Sequence, residues 1–484
     1  SRAFAARRRR RSIMTLYHQL AEEMSGRIRA GVLRPGERLP SVRSACRSHR
    51  VSPATVTQAY KLLEDRGEIH TRSRSGHYVS AHLGGRPMQQ CTVSRPSGAS
   101  TAVDVRDLVF ELIDTAGTRD FVPLGSAFPA PGLFPLRKLA RALHSAASRL
   151  DPQSIYEQLV PGNADLRRLI ARRYLETGCD VPVEEIVITT GALEGLNLCL
   201  QTVARPGDAV AIQCPTFYVV LEAMERLGLK AVEIPTDPRD GISASALAKA
   251  LDRHPIKAVW LMTNFENPLG CLMPDDQKRE VVKLLAERDI PLIEDDVYGE
   301  LYFGADRPRP AKAFDRSGRV LHCSSFSKSL APGYRVGWAA PGRYARPVER
   351  AKAMTTIATS VPAQAAIVEF LKHAGFNYHL RRLRKAFESQ QSSMLQAIAR
   401  YFPAATRISR PEGGYFLWVE MPERVSALEV HRLAAQQKIT VAPGPIFSAQ
   451  RKFQNCLRLN YGLPWSQKVE SAVATVGGIV GSLA

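Results

Sequence analysis

A chain of 484 residues in which 45% of the side chains are hydrophobic is too long for one core and too apolar for a disordered protein, so we expect two or three folded domains. The formal net charge is +20, and residues 1–90 hold 18 Lys and Arg against 6 Asp and Glu, which indicates a polyanionic partner for that end. The eight cysteines have no metal-ligand spacing and no apolar run reaches the ~18 residues of a membrane-spanning helix, so the sequence predicts a cytoplasmic protein without a metal site or a membrane contact.

The basic N-terminal part predicts three helices and a hairpin within residues 14–80. Over residues 14–30, apolar side chains recur every four positions along one helix face, at Leu16, Leu20, Met24 and Ile28. A short second helix follows Ser41, and a third begins with Ser52 as its N-cap and Pro53 at its first position. Residues 67–79 predict two short strands joined by a turn. Three helices followed by a hairpin make a winged helix.

In a winged helix, the third helix enters the DNA major groove while basic side chains at its flanks and in the hairpin pair with phosphates. The side chains placed for these contacts are Arg43, Ser52, Thr55, Thr57 and Lys61 on the helices and Arg72 and Arg74 in the wing. The segments LPSVR, VSPATVTQAYKLLE and SGHYV resemble the DNA-binding domain of the GntR family. The resemblance implies binding to double-stranded operator DNA, and the alternative is a helical unit that docks a partner protein.

The composition changes after residue 82. From there to about residue 106, Gly, Pro, Ser and Gln replace the periodic apolar pattern, which is typical of a linker. The predicted domains are therefore a winged helix in residues 1–82, with its core at about 14–80, a linker in residues 83–120, and a large domain in residues 121–484.

The large domain alternates short apolar segments with longer amphipathic ones. The predicted strands are Glu185–Thr189, Ala209–Ile212, Ala231–Ile234, Ala258–Met262, Pro291–Glu294 and Val320–Cys323. Strands as apolar as these are buried on both faces, which predicts an α/β fold with a mostly parallel sheet covered by helices. Ligands of such folds bind beyond the carboxyl ends of the strands.

A lysine follows the last predicted strand, in a loop of small hydroxyl residues. Lys328 could form a Schiff base with the aldehyde of pyridoxal 5'-phosphate (PLP), while Ser325 and Arg335 hold the phosphate. A lysine in a serine-rich loop is usually only solvated, so the other strand ends decide the interpretation. They carry a glycine turn into a helix N-terminus at Gly191, which suits a phosphate, and polar side chains over 264–270 and 294–298.

These motifs, in this order, resemble the fold-type I PLP enzymes of the aspartate aminotransferase superfamily over residues 121–484, with a small subdomain mainly in residues 365–484. The resemblance implies that Lys328 is the catalytic Schiff-base lysine, that Asp295 lies under the pyridine nitrogen and that Arg458 binds the carboxylate of a substrate or effector. The further cofactor contacts that it implies are Asn267, Tyr298, Phe217, Gly191, Ala192, Leu193, Ser325, Ser327, Arg335 and Tyr156, with Tyr156 reaching the phosphate in the second subunit. Relatives commonly carry hydroxyl or amide side chains where this chain has Ala192 and Leu193, so here only the backbone N–H groups could bind phosphate.

A GntR-type winged helix joined to an aminotransferase-like domain resembles the MocR/GabR transcriptional regulators. The resemblance implies a bacterial, cytoplasmic homodimer that binds operator DNA and senses PLP or an amino compound, which would replace Lys328 on the cofactor and be held by Arg458. Two alternatives use the same residues. One is a catalytically active PLP-dependent aminotransferase with an accessory DNA-binding domain, and the other is a dimerising scaffold that has lost its cofactor.

Overall fold

The computed structural model describes residues 16–29, 32–33, 37–65, 68–72, 76–79, 89–106, 109–110, 120–153, 156 and 158–484. The chain divides into two compact units, one of residues 1–87 with 395–400 and the other of residues 88–394 with 401–484. Within the described ranges, no helix combines the length and the apolar character needed to cross a membrane.

The first unit has the predicted order of three helices and a hairpin. Its elements are α1 (Leu16–Arg29), α2 (Val42–His49), α3 (Pro53–Asp65) and the antiparallel strands β1 (Ile69–Arg72) and β2 (Gly76–Val79). Ser41 and Ser52 cap α2 and α3, since each hydroxyl oxygen accepts a backbone N–H three residues on, from Ser44 and Thr55, over 3.2 Å. The predicted winged helix is therefore confirmed.

The core of the first unit contains most of the predicted apolar stripe. Leu20, Met24 and Ile28 of α1 pack with Val56, Ala59, Tyr60 and Leu63 of α3 in one buried cluster. Leu16 is 63% exposed, because it lies in the first turn of α1, beyond the reach of this cluster.

The second unit is built on a nine-stranded sheet. Its strands are β4 (Ser100–Ala102), β6 (Val187–Thr189), β7 (Ala209–Cys214), β8 (Lys230–Asp237), β9 (Gly241–Ile242), β10 (Ile256–Leu261), β11 (Leu292–Asp295), β12 (Val320–Ser325) and β13 (Gly337–Ala340). The strand order is β4–β8–β7–β10–β11–β12–β13–β6, with β9 paired to β8. The neighbours from β8 to β12 in this order pair in parallel, and the remaining pairs are antiparallel. The mostly parallel sheet is thus confirmed, although the sequence pattern did not predict β13.

Helices cover both faces of this sheet. Along β7, Val210 and Ile212 belong to one core cluster while Ala209 and Ala211 belong to another, as strands buried on both faces require. The helices that lie wholly or mostly in the second unit are α4 (Leu136–Ala147), α5 (Ala164–Leu175), α6 (Ala192–Val203), α7 (Tyr218–Arg226), α8 (Ala244–Arg253), α9 (Asp275–Glu287), α10 (Ala345–Thr355), α11 (Val361–His373), α12 (Phe376–Tyr401), α13 (Ala427–Gln436) and α14 (Gln467–Leu483).

Two smaller sheets complete the second unit. Their strands are β3 (Gln89–Gln90), β5 (Val122–Pro123), β14 (Arg407–Ile408), β15 (Phe416–Glu420), β16 (Ile439–Thr440), β17 (Ala442–Pro443) and β18 (Cys456–Asn460). One sheet has five strands in the order β17–β18–β15–β14–β3, and in the other, two-stranded sheet β16 pairs with β5. Arg458 lies in the middle of β18, with β15 on one side and β17 on the other.

Part of the predicted linker is packed against the second unit. In residues 89–106, β3 runs parallel to β14 and β4 runs antiparallel to β8. Cys91, Val103 and Val105 of this stretch are buried in the same cluster as the sheet. Strands of two and three residues are too short for an alternating pattern, so the Gly-, Pro- and Ser-rich composition concealed them. The other predicted domain boundaries stay predictions.

Candidate functional site

Lys328 lies in the loop after β12, and its amine is only partly accessible. Its Nζ atom donates a hydrogen bond to the carbonyl oxygen of Ala127 over 2.9 Å and lies 3.5 Å from the centre of the Phe128 ring. Burial, together with the nearby charge of Arg458, lowers the pKa of Lys328 to about 7. A lysine with this pKa is largely a neutral amine at slightly alkaline pH and can therefore act as a nucleophile.

Asp295 ends β11, one strand away from the strand that leads to Lys328. Its carboxyl group is buried, and the Oδ1 atom has no hydrogen-bond partner among the described residues. Burial, together with the neighbouring charge of Asp296, raises the pKa of Asp295 to about 7. A buried carboxyl oxygen in this position suits an N–H donor, such as a protonated pyridine nitrogen.

Asp296 belongs to a buried hydrogen-bond network that sequence reasoning missed. Its Oδ2 atom lies 3.2 Å from Nε2 of His322, whose Nδ1 lies 2.7 Å from the hydroxyl of Tyr174. The indole of Trp338 donates to the same hydroxyl over 2.9 Å. Although burial alone would raise the pKa of Asp296, the hydrogen bond with His322 brings it below its usual value. The two adjacent aspartates thus have opposite pKa shifts.

Arg458, Asn267 and Tyr298, three of the predicted site residues, form one hydrogen-bonded chain. The fully buried Arg458 guanidinium donates from Nη1 to Oδ1 of Asn267 over 2.9 Å and from Nη2 to the carbonyl oxygen of Gly125 over 2.6 Å. Asn267 donates in turn to the hydroxyl of Tyr298 over 3.3 Å. The guanidinium also lies 4.4 Å from the centre of the Phe416 ring. This chain orients the guanidinium and the phenol relative to one another.

The predicted phosphate loop, residues 190–191 between β6 and α6, lies against Arg335 of the segment between β12 and β13. Gly191 has a φ of 80°, and a Cβ atom at this position would collide with the guanidinium of Arg335. Arg335 donates to the hydroxyl of Ser327 over 3.0 Å, and the Ser327 N–H donates to Oγ of Ser325 over 3.3 Å. Ala192 begins α6, so the first N–H groups of this helix, which have no acceptor within the helix, directly follow Gly191.

The remaining predicted cofactor residues lie nearer the surface. Phe217 is half-buried before α7, and its ring centre lies 4.7 Å from that of Tyr218. The side chain of Leu193 is 42% exposed and that of Tyr156 is 76% exposed. Tyr156 is therefore not part of the buried group around Lys328 within one chain.

The hydroxyls predicted to contact DNA are engaged within α3. The Ser52 and Thr55 hydroxyl oxygens lie 2.9 Å apart, and the Thr57 hydroxyl donates to the carbonyl oxygen of Pro53 over 2.8 Å. These bonds leave each side chain on the helix surface, where a hydroxyl can still bond a second partner.

The basic side chains predicted to contact DNA divide into two groups. Arg43 on α2 and Lys61 on α3 are exposed. Arg72 is the last residue of β1, in the hairpin, whereas Arg74 lies outside the described residues. The exposed pair lies on the two helices that a helix-turn-helix unit presents to DNA.

Comparison with known protein families assigns both units. Residues 16–79 match bacterial regulatory proteins of the gntR family, and residues 133–476 match the aminotransferase class I and II family. Aminotransferases of this class use PLP, so the family implies PLP as the cofactor. The Oδ1 atom of Asp295, which has no hydrogen-bond partner among the described residues, suits the pyridine nitrogen of PLP. The amine of the half-buried Lys328 suits the aldehyde, and the turn at Gly191 beside Arg335 suits the phosphate.

The chain is similar to transcriptional regulators over nearly its whole length and to an aminotransferase over most of it. The chain is 44% identical over 467 residues to the uncharacterized HTH-type transcriptional regulator YdcR of Escherichia coli (strain K12), which covers 96% of this chain and 99% of that protein. It is 40% identical over 472 residues to YjiR of the same organism, another uncharacterized HTH-type transcriptional regulator, with the same coverage. The alpha-aminoadipate aminotransferase LysN of Thermus thermophilus, solved in complex with N-(5'-phosphopyridoxyl)-L-leucine, is similar in structure, with a TM-score of 0.71 and 29% identity over 78% of this chain and 94% of that chain. The chain therefore belongs to the MocR-type family, in which a gntR-family helix-turn-helix domain precedes an aminotransferase class I and II domain.

Proposed function

We propose that this chain is a PLP-dependent, DNA-binding transcriptional regulator whose second unit senses an amino compound that carries a carboxylate. The observation that carries the proposal is that Lys328 and Arg458 bind the same short segment. Lys328 donates to the carbonyl of Ala127 and Arg458 to the carbonyl of Gly125, two residues apart. The amine that would hold the cofactor and a carboxylate-binding group therefore lie within reach of one small molecule.

When bound, PLP supplies an aldehyde that condenses with amines and a ring that withdraws electrons. Lys328 would offer its neutral amine to the aldehyde, because burial lowers its pKa to about 7. Asp295 would accept the pyridine N–H through its buried oxygen, and Tyr298 and Asn267 would donate to the phenolic oxygen. Arg335, together with the N–H groups that follow Gly191, would hold the phosphate.

Arg458 would bind the effector carboxylate. Its guanidinium is fully buried, and its Nε atom has no partner among the described residues. A carboxylate that approaches this planar group can accept two parallel N–H bonds, while a buried cation strongly favours a partner of opposite charge. The proposed effector class is therefore amino acids in preference to simple amines.

The first unit would bring the protein to DNA, with α3 in the major groove and Arg43, Lys61, Arg72 and Arg74 at the phosphates. We propose that the protein is a homodimer in the bacterial cytoplasm, where its DNA target lies. The 76% exposure of Tyr156 supports a contact with a second subunit, because a tyrosine this exposed on a single chain has most of its ring available.

The test is to titrate the PLP-bound full chain with a panel of amino acids and their decarboxylated amines. Absorbance of the lysine-linked cofactor and affinity for DNA fragments selected by the protein from a random pool would be followed together. We expect an amino acid to change both, and neither to change in Lys328→Ala. A spectral change without any change in DNA affinity would contradict the proposed function as a regulator. Adding a keto acid acceptor tests the enzyme alternative, which sustained turnover abolished by Lys328→Ala would support.

A further inference from the structure

A buried ion pair lies directly behind the predicted phosphate loop. Lys352 on α10 is 0% exposed, and its Nζ atom lies 2.9 Å from Oε2 of Glu194, the third residue of α6. A fully buried lysine needs a charged partner, because an unpaired ammonium in the interior is strongly disfavoured. Neither residue belongs to the cofactor contacts described above.

The Glu194 carboxylate is held at the end of the helix that would bind the phosphate. Its Oε2 atom accepts the backbone N–H of Thr190 over 2.5 Å, and its Oε1 accepts the hydroxyl of Thr356. Lys352 also donates to the Thr356 hydroxyl over 3.1 Å. A glutamate at the third helical position that reaches back to an N–H before the helix orders the entry turn. Glu194 thus fixes the conformation of the loop that ends in Gly191.

The negative charge of Glu194 would disfavour a phosphate bound beside it. The positive end of a helix dipole stabilises one nearby anion, but a cofactor phosphate beside the first turn of α6 would place a second anion next to Glu194. Although burial alone would raise the pKa of Glu194, its bonds with Thr356, Thr190 and Lys352 lower it, so the carboxylate is ionised. The two anions would repel one another unless a cation lies between or behind them.

We propose that Lys352 is a positioning residue of the cofactor site, which neutralises Glu194 so that this carboxylate can order the phosphate loop without repelling the cofactor phosphate. The inference rests on the PLP binding described under the proposed function. In this proposal, the negative charge of Glu194 is compensated by a side chain that need not touch the cofactor. The proposal also explains how a loop with Ala192 and Leu193 in place of polar side chains can still hold a phosphate.

The test measures the dissociation constants of PLP and of pyridoxal, which lacks the phosphate, for the full chain and for three variants. In Lys352→Met we expect PLP to bind about tenfold more weakly, as one uncompensated charge near a dianion predicts, and pyridoxal to bind nearly as in the wild type. Glu194→Gln keeps an acceptor for the Thr190 N–H and should bind PLP as tightly as the wild type or more tightly. The double variant should return close to the wild-type value.

If Lys352→Met loses affinity for PLP and for pyridoxal by the same factor, the inference is overturned, since the Lys352–Glu194 ion pair would then only support the fold. If Lys352→Met does not fold, the other two variants decide. If Glu194→Gln binds PLP more weakly than the wild type, the inference is overturned. If Glu194→Gln binds PLP at least as tightly as the wild type, and the double variant binds it with nearly the wild-type affinity, the inference is supported. A wild-type chain that captured no PLP would instead contradict the proposed function.

Discussion

The amine of Lys328 and the carboxyl of Asp295 shift each other's pKa, and both groups have a pKa of about 7. Burial is the largest cause of both shifts. It lowers the pKa of the lysine and raises the pKa of the aspartate, because it disfavours the charged form of each group. The negative charge of Asp295 then raises the pKa of Lys328, while the positive charge of Lys328 lowers that of Asp295. The two groups that would meet the aldehyde and the pyridine nitrogen therefore change charge in the same pH range.

The rate at which the cofactor-free chain captures PLP should depend on pH. Only the neutral amine attacks an aldehyde, so the rate should rise with pH, with a midpoint of about 7. Asp295→Asn removes a charge that raises the pKa of Lys328, so its midpoint should move to lower pH. Rapid-mixing absorbance measures both. A midpoint near ~10.4, the ordinary lysine value, would contradict the lowered pKa.

Lys328→Ala should abolish the spectral response to amino compounds while the first unit continues to bind DNA. The reason is that no other amine is assigned to the aldehyde, whereas the winged helix has its own core. Absorbance titration and DNA binding measure the two effects on the same protein. Lys385→Ala, at an exposed position on α12, is the matched control and should behave like the wild type. Loss of both responses in the control would show that lysine removal acts non-specifically.

Arg458→Gln should weaken the response to amino acids by roughly 10- to 100-fold, because charged hydrogen bonds of about 1.5–3 kcal/mol are lost. The response to the corresponding amines without a carboxylate should change little. Arg458→Lys keeps the charge but not the planar fork, so it should give an intermediate loss. The measurement is the effector concentration for half-maximal absorbance change. Equal losses for an amino acid and its amine would contradict the assignment of Arg458 to the carboxylate.

Sequence patterns predicted the parts of the site that stand at strand ends. Asp295 and Lys328 follow apolar runs, and adjacent parallel strands bring their ends to one edge of the sheet, so the motif order already implied proximity. The contact between Lys328 and Ala127 had no such signal, because Ala127 lies in an irregular segment about 200 residues earlier. His322 likewise looks like an ordinary strand residue until β12 packs beside Tyr174 of α5. Contacts fixed only by tertiary packing leave no local pattern.

Lys61→Ala should weaken binding to specific and non-specific DNA by similar factors. An exposed lysine that pairs with a phosphate contributes through counterion release, so the dependence of log affinity on log salt should lose about one unit of slope. Fluorescence anisotropy at several salt concentrations measures this slope. Arg27→Ala is the control, because Arg27 pairs with Glu23 over 2.6 Å on α1. An unchanged slope in Lys61→Ala would remove this residue from the DNA contact.

Tyr174→Phe should destabilise the second unit by roughly 2–6 kcal/mol. The lost hydroxyl binds both His322 and Trp338, which are buried, and two buried polar groups left without a partner cost about 1–3 kcal/mol each. Urea unfolding followed by a signal of the second unit measures the change. Tyr378→Phe is the control, because this tyrosine is 56% exposed and its hydroxyl can bond water instead. If both variants unfold at the same urea concentration, water must enter to satisfy the His322 and Trp338 nitrogens, and the network would then orient Asp296 without stabilising the fold.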